Sequence, residues 1–174
     1  PGSTFKMLTT IALLNNQKVN PSDKLECTGS YEYGDRVFRC WKEKGHGSVN
    51  LEQAIEQSCN VYFYQTVQRI SLKDLWTVWD RFGFGRETGY DFPIESKGTI
   101  PDRAYMNKRY GRRGWAKGNL LNMAVGQGEI LVTPVQMAVY INHLATEGRA
   151  GKLHFVKGKG GISASSPHYS NRIW

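Results

Sequence analysis

No run of eighteen or more apolar residues occurs in the 174-residue sequence, so it holds no segment with the length and character of a transmembrane helix, and no signal peptide is visible. Nothing repeats internally and no heptad is sustained, which sets aside solenoids and coiled coils. Cysteine is scarce: Cys27, Cys40 and Cys59 stand thirteen and nineteen residues apart, without a C-x-x-C pair. His46, His143, His154 and His168 do not fall at zinc-ligand spacings, so no structural zinc site is expected. Cys27 and Cys40 flank a turn-like segment; either they pair in an oxidising compartment or all three thiols stay free, and Cys59 is unpaired in both cases. Acidic residues are outnumbered, 15 against 23 Lys and Arg, for a net charge of +8. The densest basic cluster, Lys108-Arg109-Tyr110-Gly111-Arg112-Arg113, comes without a nucleic-acid-binding motif. It reads as a solvated loop face, and no nucleic-acid partner is expected.

What is present suffices for one domain with a real core: 174 residues, 40% of them hydrophobic. The sequence begins at Pro1 rather than Met, and its first residue of chemical interest is the third, so a longer parent protein is expected. That residue is Ser3, followed three positions later by Lys6 at the head of the apolar-rich run Met7-Leu8-Thr9-Thr10-Ile11-Ala12-Leu13-Leu14. On a helix Ser3 and Lys6 share a face. A serine hydroxyl needs a base within hydrogen-bond reach, and a lysine serves when burial lowers its pKa. The helix N-terminal N–H groups would stabilise an oxyanion. S-x-x-K arises about once by chance in a sequence of this length, so the rest of the chain has to decide.

The spacing predicts a helix from about Ser3 to Asn15 or Asn16, stopped by Asn20-Pro21-Ser22-Asp23. Residues 21–50 read as irregular or short-stranded, with Tyr31, Tyr33, Val37, Phe38 and Trp41 suited to a small hairpin. His46, between two glycines, is read as donating to backbone to hold a turn rather than as a ligand or base. A second helix starts at the cap Asn50. At Ser58-Cys59-Asn60 the pattern breaks, either as a helix-to-helix corner facing a cleft or as a serine back-bonding inside one continuous helix. A third helix runs from Ser71 to Phe82 with Ser71 and Asp74 as a capping box and Gly83 as its stop. Residues 83–118 read as loop. Asn119–Val125 is helical, ending at Gly126-Gln127-Gly128-Glu129. Thr133-Pro134-Val135-Gln136 opens a last helix with its cap, N1 proline and N3 glutamine, stopping at Gly148. Lys152-Leu153-His154-Phe155-Val156-Lys157 is suited to begin a strand.

Five segments in order carry a family resemblance: Pro1-Gly2-Ser3-Thr4-Phe5-Lys6, Gly45-His46-Gly47-Ser48-Val49-Asn50-Leu51, Ser58-Cys59-Asn60-Val61-Tyr62-Phe63-Tyr64, Gly126-Gln127-Gly128-Glu129, and Thr133-Pro134-Val135-Gln136-Met137-Ala138. Together they resemble the transpeptidase domain of class B penicillin-binding proteins, in particular the elongation-type, penicillin-binding protein 2-like branch. The resemblance implies an α+β, serine penicillin-recognising fold. Here it would be mainly the helical subdomain (residues 1–148), with 149–174 as the start of a truncated sheet region or a flexible tail, and most of the antiparallel sheet missing.

It further implies a peptidoglycan D,D-transpeptidase in which Ser3 attacks the D-Ala–D-Ala stem peptide, Lys6 is the base, Ser58 relays a proton and Asn60 holds substrate and Lys6. β-Lactams would acylate the same serine, and no metal or organic cofactor is implied. The parent would be membrane-anchored, face the periplasm, and work with a SEDS-type glycosyltransferase. A non-catalytic β-lactam-binding sensor domain is the alternative. The family's Lys-Thr-Gly or Lys-Ser-Gly strand is absent; Lys159-Gly160-Gly161 is the nearest string and is not assigned to it. This fragment alone is therefore expected to be inactive, and the apolar faces meant for the sheet to be exposed.

Overall fold

The computed structural model describes residues 1–91, 93–158, 167–170 and 173. Its first element is tighter than the helix anticipated from Ser3. Gly2–Phe5 forms a 3-10 turn, and the α-helix proper, α1, runs over Lys6–Asn15. The turn is held from outside the helix. Gly2, at φ 64°, donates its N–H to Gly126, and the Thr4 carbonyl accepts from the Tyr140 hydroxyl. Phe5, Leu8, Ile11, Ala12 and Leu13 are buried, so the apolar stripe of α1 is the centre of the core.

Two small antiparallel sheets follow. β1 (Leu25–Cys27) pairs with β4 (Gly47–Val49), placing Cys27 opposite Gly47. β2 (Ser30–Tyr33) and β3 (Arg36–Arg39) form the expected hairpin around Gly34-Asp35, with Tyr31 opposite Phe38. Gly34 at φ 62° supplies the positive dihedral that a two-residue hairpin loop demands. Phe38 lies 5.4 Å from the ring of Tyr64, which seats the hairpin on the helices.

The break at Ser58 is a corner, and the continuous-helix alternative is excluded. α2 spans Leu51–Glu56 and α3 begins at Asn60, running to Val67. Between them Ser58 adopts φ 52°, a left-handed conformation no helix interior accommodates. Asn50 caps α2 in a reciprocal box with Gln53. α4 (Leu72–Arg81) and α7 (Pro134–Ala145) start at the capping boxes read from sequence, Ser71 with Asp74 and Thr133 with Gln136. α6 spans Lys117–Ala124.

Two readings fail. Arg103–Tyr110, taken as loop, is a helix, α5, capped by Asp102; within it only Met106 is buried, so no apolar stripe marks it. Lys108 and Arg109 of the basic cluster lie in its last turn, where their charge complements the helix dipole. Lys152–Lys157 forms no strand; the backbone N–H groups of Phe155 and Val156 donate instead to the Asp91 carboxylate. Lys159-Gly160-Gly161 lies outside the described residues.

α1 packs on α3 and α4, and α3 on α6. The result is a helix-rich α+β arrangement with two small antiparallel sheets among the described residues. Within these residues no helix is long and apolar enough to cross a membrane.

Candidate active site

The four residues singled out by sequence meet at one amine. Lys6 Nζ lies 3.2 Å from Ser3 Oγ, 2.9 Å from Ser58 Oγ, 2.7 Å from the Ser58 carbonyl and 2.6 Å from Asn60 Oδ1. Three of these contacts come from the corner between α2 and α3. The left-handed dihedral of Ser58 turns both its carbonyl and its hydroxyl toward Lys6, and Asn60 follows as the first residue of α3. Asn60 is oriented from its other side, donating from Nδ2 to the Arg39 carbonyl at 3.4 Å.

The lysine is buried, only 2% exposed, while Ser3 is open to solvent, so the hydroxyl is reachable and the amine beneath it is not. Burial lowers the Lys6 pKa from 10.5 to about 8, with Cys40 and Cys59 opposing the shift. The partners suit the neutral amine. The Ser58 carbonyl and Asn60 Oδ1 are acceptors only, so in the neutral amine they take its two N–H groups and the lone pair is left for a hydroxyl. That is the arrangement by which an amine takes a proton from an attacking serine.

The turn bearing Ser3 is fixed on three sides. Gly2 N–H donates to the Gly126 carbonyl at 2.9 Å, the Tyr140 hydroxyl to the Thr4 carbonyl at 2.9 Å, and the Thr9 hydroxyl to the Ala124 carbonyl at 2.8 Å. Gly126, at φ 70°, permits the approach: a Cβ there would stand 2.1 Å from the Gly2 carbonyl oxygen. Phe5 anchors the turn from below, its ring 4.8 Å from Phe84 and 6.3 Å from both Trp79 and Tyr140. The Gly126-Gln127-Gly128-Glu129 segment is thus a brace behind Ser3, and Tyr140 is a residue that sequence reasoning missed. Glu129 itself accepts a hydrogen bond from Tyr110.

Behind the corner lies a second convergence that sequence spacing had argued against. Cys27, Cys40, His46 and Cys59 bring their donor atoms within 4.8 Å of one another. All three thiols are free, so the Cys27–Cys40 pairing is not formed. His46 Nδ1 faces two cysteine sulfurs at 3.5 Å, while burial lowers the imidazole pKa and a backbone hydrogen bond to Gln57 opposes that shift. Spacing could not show this convergence because two strands and a corner, rather than one short motif, gather these residues.

Comparison with known proteins supplies the family. The family model described as "Penicillin binding protein transpeptidase domain" matches residues 1–172. Among curated relatives, a protein named peptidoglycan D,D-transpeptidase MrdA from Haemophilus influenzae is 31% identical over 159 residues, 90% of this chain and 24% of the relative. The protein of the same name from Acinetobacter baumannii is 34% identical over 150 residues, 85% of this chain and 22% of the relative. The chain therefore spans about a quarter of the length of these relatives. Among solved structures, a penicillin-binding protein, PBP2, from Helicobacter pylori superposes with a TM-score of 0.87 at 35% identity, over 98% of this chain and 32% of that one. PBP2 of Pseudomonas aeruginosa in complex with WCK 5153 gives a TM-score of 0.81 at 30% identity, over 98% and 38%. With the family model covering nearly all of its length and Ser3, Lys6, Ser58 and Asn60 gathered at one amine, the chain belongs to the penicillin-binding protein transpeptidase domain family.

Proposed function

We propose that this chain carries the nucleophile's half of a peptidoglycan D,D-transpeptidase site. The observation that supports it most is the Lys6 amine, buried and held by Ser58 and Asn60 with its remaining valence toward Ser3. Ser3 Oγ attacks the carbonyl carbon of the D-Ala–D-Ala bond of a stem peptide as its proton passes to Lys6. The proton moves through Ser58 to the leaving amine, terminal D-alanine departs, and an acyl-enzyme on Ser3 remains. An amine from a neighbouring stem attacks that ester, closing the cross-link and restoring the serine. Asn60 binds the peptide backbone while it orients Lys6.

β-Lactams enter as acylating mimics of the same substrate. The parent protein works at the extracytoplasmic face of the membrane, anchored through a segment outside these residues, with a SEDS-type glycosyltransferase as partner. The 174 residues supply the Ser3 N–H for the oxyanion but no Lys-Thr-Gly strand to supply a second donor, so this chain alone reacts slowly or not at all. Loss of one such donor costs about 10²–10³ in rate.

A fluorescent penicillin and peptide mapping test the reading. In the longer protein carrying this segment the adduct is expected on Ser3 and absent from Ser3→Ala. An adduct on another residue, or none, would overturn the assignment. Labelling of the isolated chain as fast as the longer protein would overturn the incomplete oxyanion site alone.

A further inference from the structure

Residues 103–128 carry six cations, Arg103, Lys108, Arg109, Arg112, Arg113 and Lys117, and no aspartate or glutamate. Lys108, Arg109, Arg112 and Arg113 are exposed and enter no ion pair among the described residues. The segment is nonetheless closely folded. Gly111, at φ 77°, ends α5 with its N–H on the Asn107 carbonyl at 2.9 Å, and Gly114 N–H closes a turn on the Gly111 carbonyl at 3.1 Å. A Cβ on Gly114 would stand 1.7 Å from the Tyr110 carbonyl oxygen, so only glycine lets the turn lie this close to the helix end. Trp115 Nε1 donates to Asn107 Oδ1 at 2.8 Å and folds the chain back on α5. Four like charges are thus gathered against their mutual repulsion.

One of them is oriented. An exposed arginine ordinarily samples many rotamers, and ordering it for a ligand costs side-chain entropy. The Arg109 guanidinium already lies over the Tyr110 ring, 5.6 Å from its centroid, and Nε–H donates to the Tyr110 hydroxyl at 3.3 Å. That hydroxyl donates in turn to the Glu129 carboxylate. With Nε spent, the N–H groups of Nη1 and Nη2 form no hydrogen bond among the described residues. They present an end-on fork that matches the two oxygens of a carboxylate. Glu129 closes the segment whose first residue, Gly126, holds Gly2 beside Ser3. Three residues of chain span at most about 11 Å, and four residues of an extended stem peptide about 14 Å, so the link from brace to fork is on the scale of the substrate. A lipid surface would need only the charge. The tie through Tyr110 and Glu129 to the brace of Ser3 favours a carboxylate that arrives with the substrate.

We propose that Arg109, oriented by Tyr110 and Glu129, binds a free internal carboxylate of a peptidoglycan stem peptide, within the positive field of Lys108, Arg112 and Arg113. Arg109 is then a substrate-binding residue and Tyr110 a positioning residue that acts through it. The inference rests on the transpeptidase reading and adds a preference to it, for stems with that carboxylate free over stems with it amidated.

The test uses the longer protein carrying this segment and synthetic stem peptides ending in D-Ala–D-Ala, with the internal carboxylate free or amidated. D-Alanine release and cross-linking are followed for each. For the unaltered protein, amidation should raise KM about fivefold to tenfold and leave kcat nearly unchanged. Arg109→Ala should raise KM as much for the free-carboxylate peptide and leave the amidated one unaffected. Arg109→Lys keeps the charge without the fork and should recover only part of the loss. Tyr110→Phe keeps the ring, loses both hydroxyl contacts, and should raise KM by a smaller factor for the free-carboxylate peptide alone. Labelling of Ser3 by a fluorescent penicillin, which carries no stem, should be equal in every variant and shows that each is folded. Donor and acceptor stems carry the same group: an amidation effect on D-alanine release assigns the fork to the donor, and one on cross-linking alone to the acceptor. The proposal is overturned by indifference of the unaltered protein to amidation, or by an equal loss of both peptides in Arg109→Ala. It is overturned equally if Arg109→Ala loses binding to anionic lipid vesicles while its peptide kinetics stay unchanged. Absence of Ser3 labelling in the unaltered protein would instead overturn the transpeptidase reading beneath it.

Discussion

Lys6 and Ser58 meet across 52 positions of chain, the amine donating to the Ser58 carbonyl at 2.7 Å while standing 2.9 Å from the hydroxyl of the same residue. One residue thus offers the lysine both an obligate acceptor and a group that exchanges protons. It does so only because φ of 52° turns the two oxygens to one side. The dihedral and the chemistry are therefore separable by mutation.

Ser58→Ala keeps the strained backbone and loses the hydroxyl; Ser58→Gly loses the hydroxyl and relieves the strain. Both should slow Ser3 acylation by about 10²–10³, the usual scale for removing a group that moves a proton. The glycine variant should be more stable than the alanine variant by about 1 kcal/mol in chemical denaturation. Equal stabilities would show that the conformation is relaxed in solution.

The pH dependence of Ser3 acylation should report Lys6. Only the neutral amine accepts the serine proton, and burial holds its pKa at about 8 instead of 10.5. The sign follows: lowering pH protonates the base, so the rate falls below pH 8, by about tenfold per unit, and is level above it. A profile that keeps climbing toward 10.5 would mean a solvated lysine and a different base.

Gly126 and Gly128 share a left-handed backbone, at φ 70° and 75°, but not their surroundings. A methyl group at Gly126 would collide with the Gly2 carbonyl oxygen at 2.1 Å and Phe5 Cβ at 2.8 Å, whereas at Gly128 it meets only Asn122 Cβ at 3.4 Å. Gly128→Ala should cost about 1 kcal/mol for its dihedral alone. Gly126→Ala should cost a further 1–3 kcal/mol, roughly, for the overlap, and displace Ser3 as the Gly2 hydrogen bond breaks. Thermal unfolding of the pair checks the difference.

Much of the site was legible. Ser3 and Lys6 stand at helical spacing, and the capping signals at Asn50, Ser71 and Thr133 placed three helix starts. Ser58-Cys59-Asn60 stood out because polar residues interrupt an apolar pattern. What stayed hidden depends on contacts between distant segments. The convergence of Cys27 and Cys59 needs the β1–β4 register and the corner together, and no local pattern encodes either. α5 was invisible because Met106 is its only buried residue. Tyr140 sits on α7, and spacing does not say that its hydroxyl reaches Thr4.

Tyr140→Phe tests that last contact. The ring still fills its place among Phe5, Phe82 and Phe84, and only the donor to Thr4 is lost. Stability should fall by about 0.5–1.5 kcal/mol, the usual net contribution of one intramolecular hydrogen bond. A change near zero would mean that the turn bearing Ser3 is braced by Gly126 alone.

The hydrogen-bond shell of Lys6 also bears on when Ser3 becomes reactive. Ser58 and Asn60 reach the amine only after the α2–α3 corner has docked onto α1, and the burial that lowers its pKa arises in the same step. A nascent or misfolded chain carries an ordinary protonated lysine beside an ordinary hydroxyl. On the proposed function, the reactivity of Ser3 is then acquired only once that corner is in place.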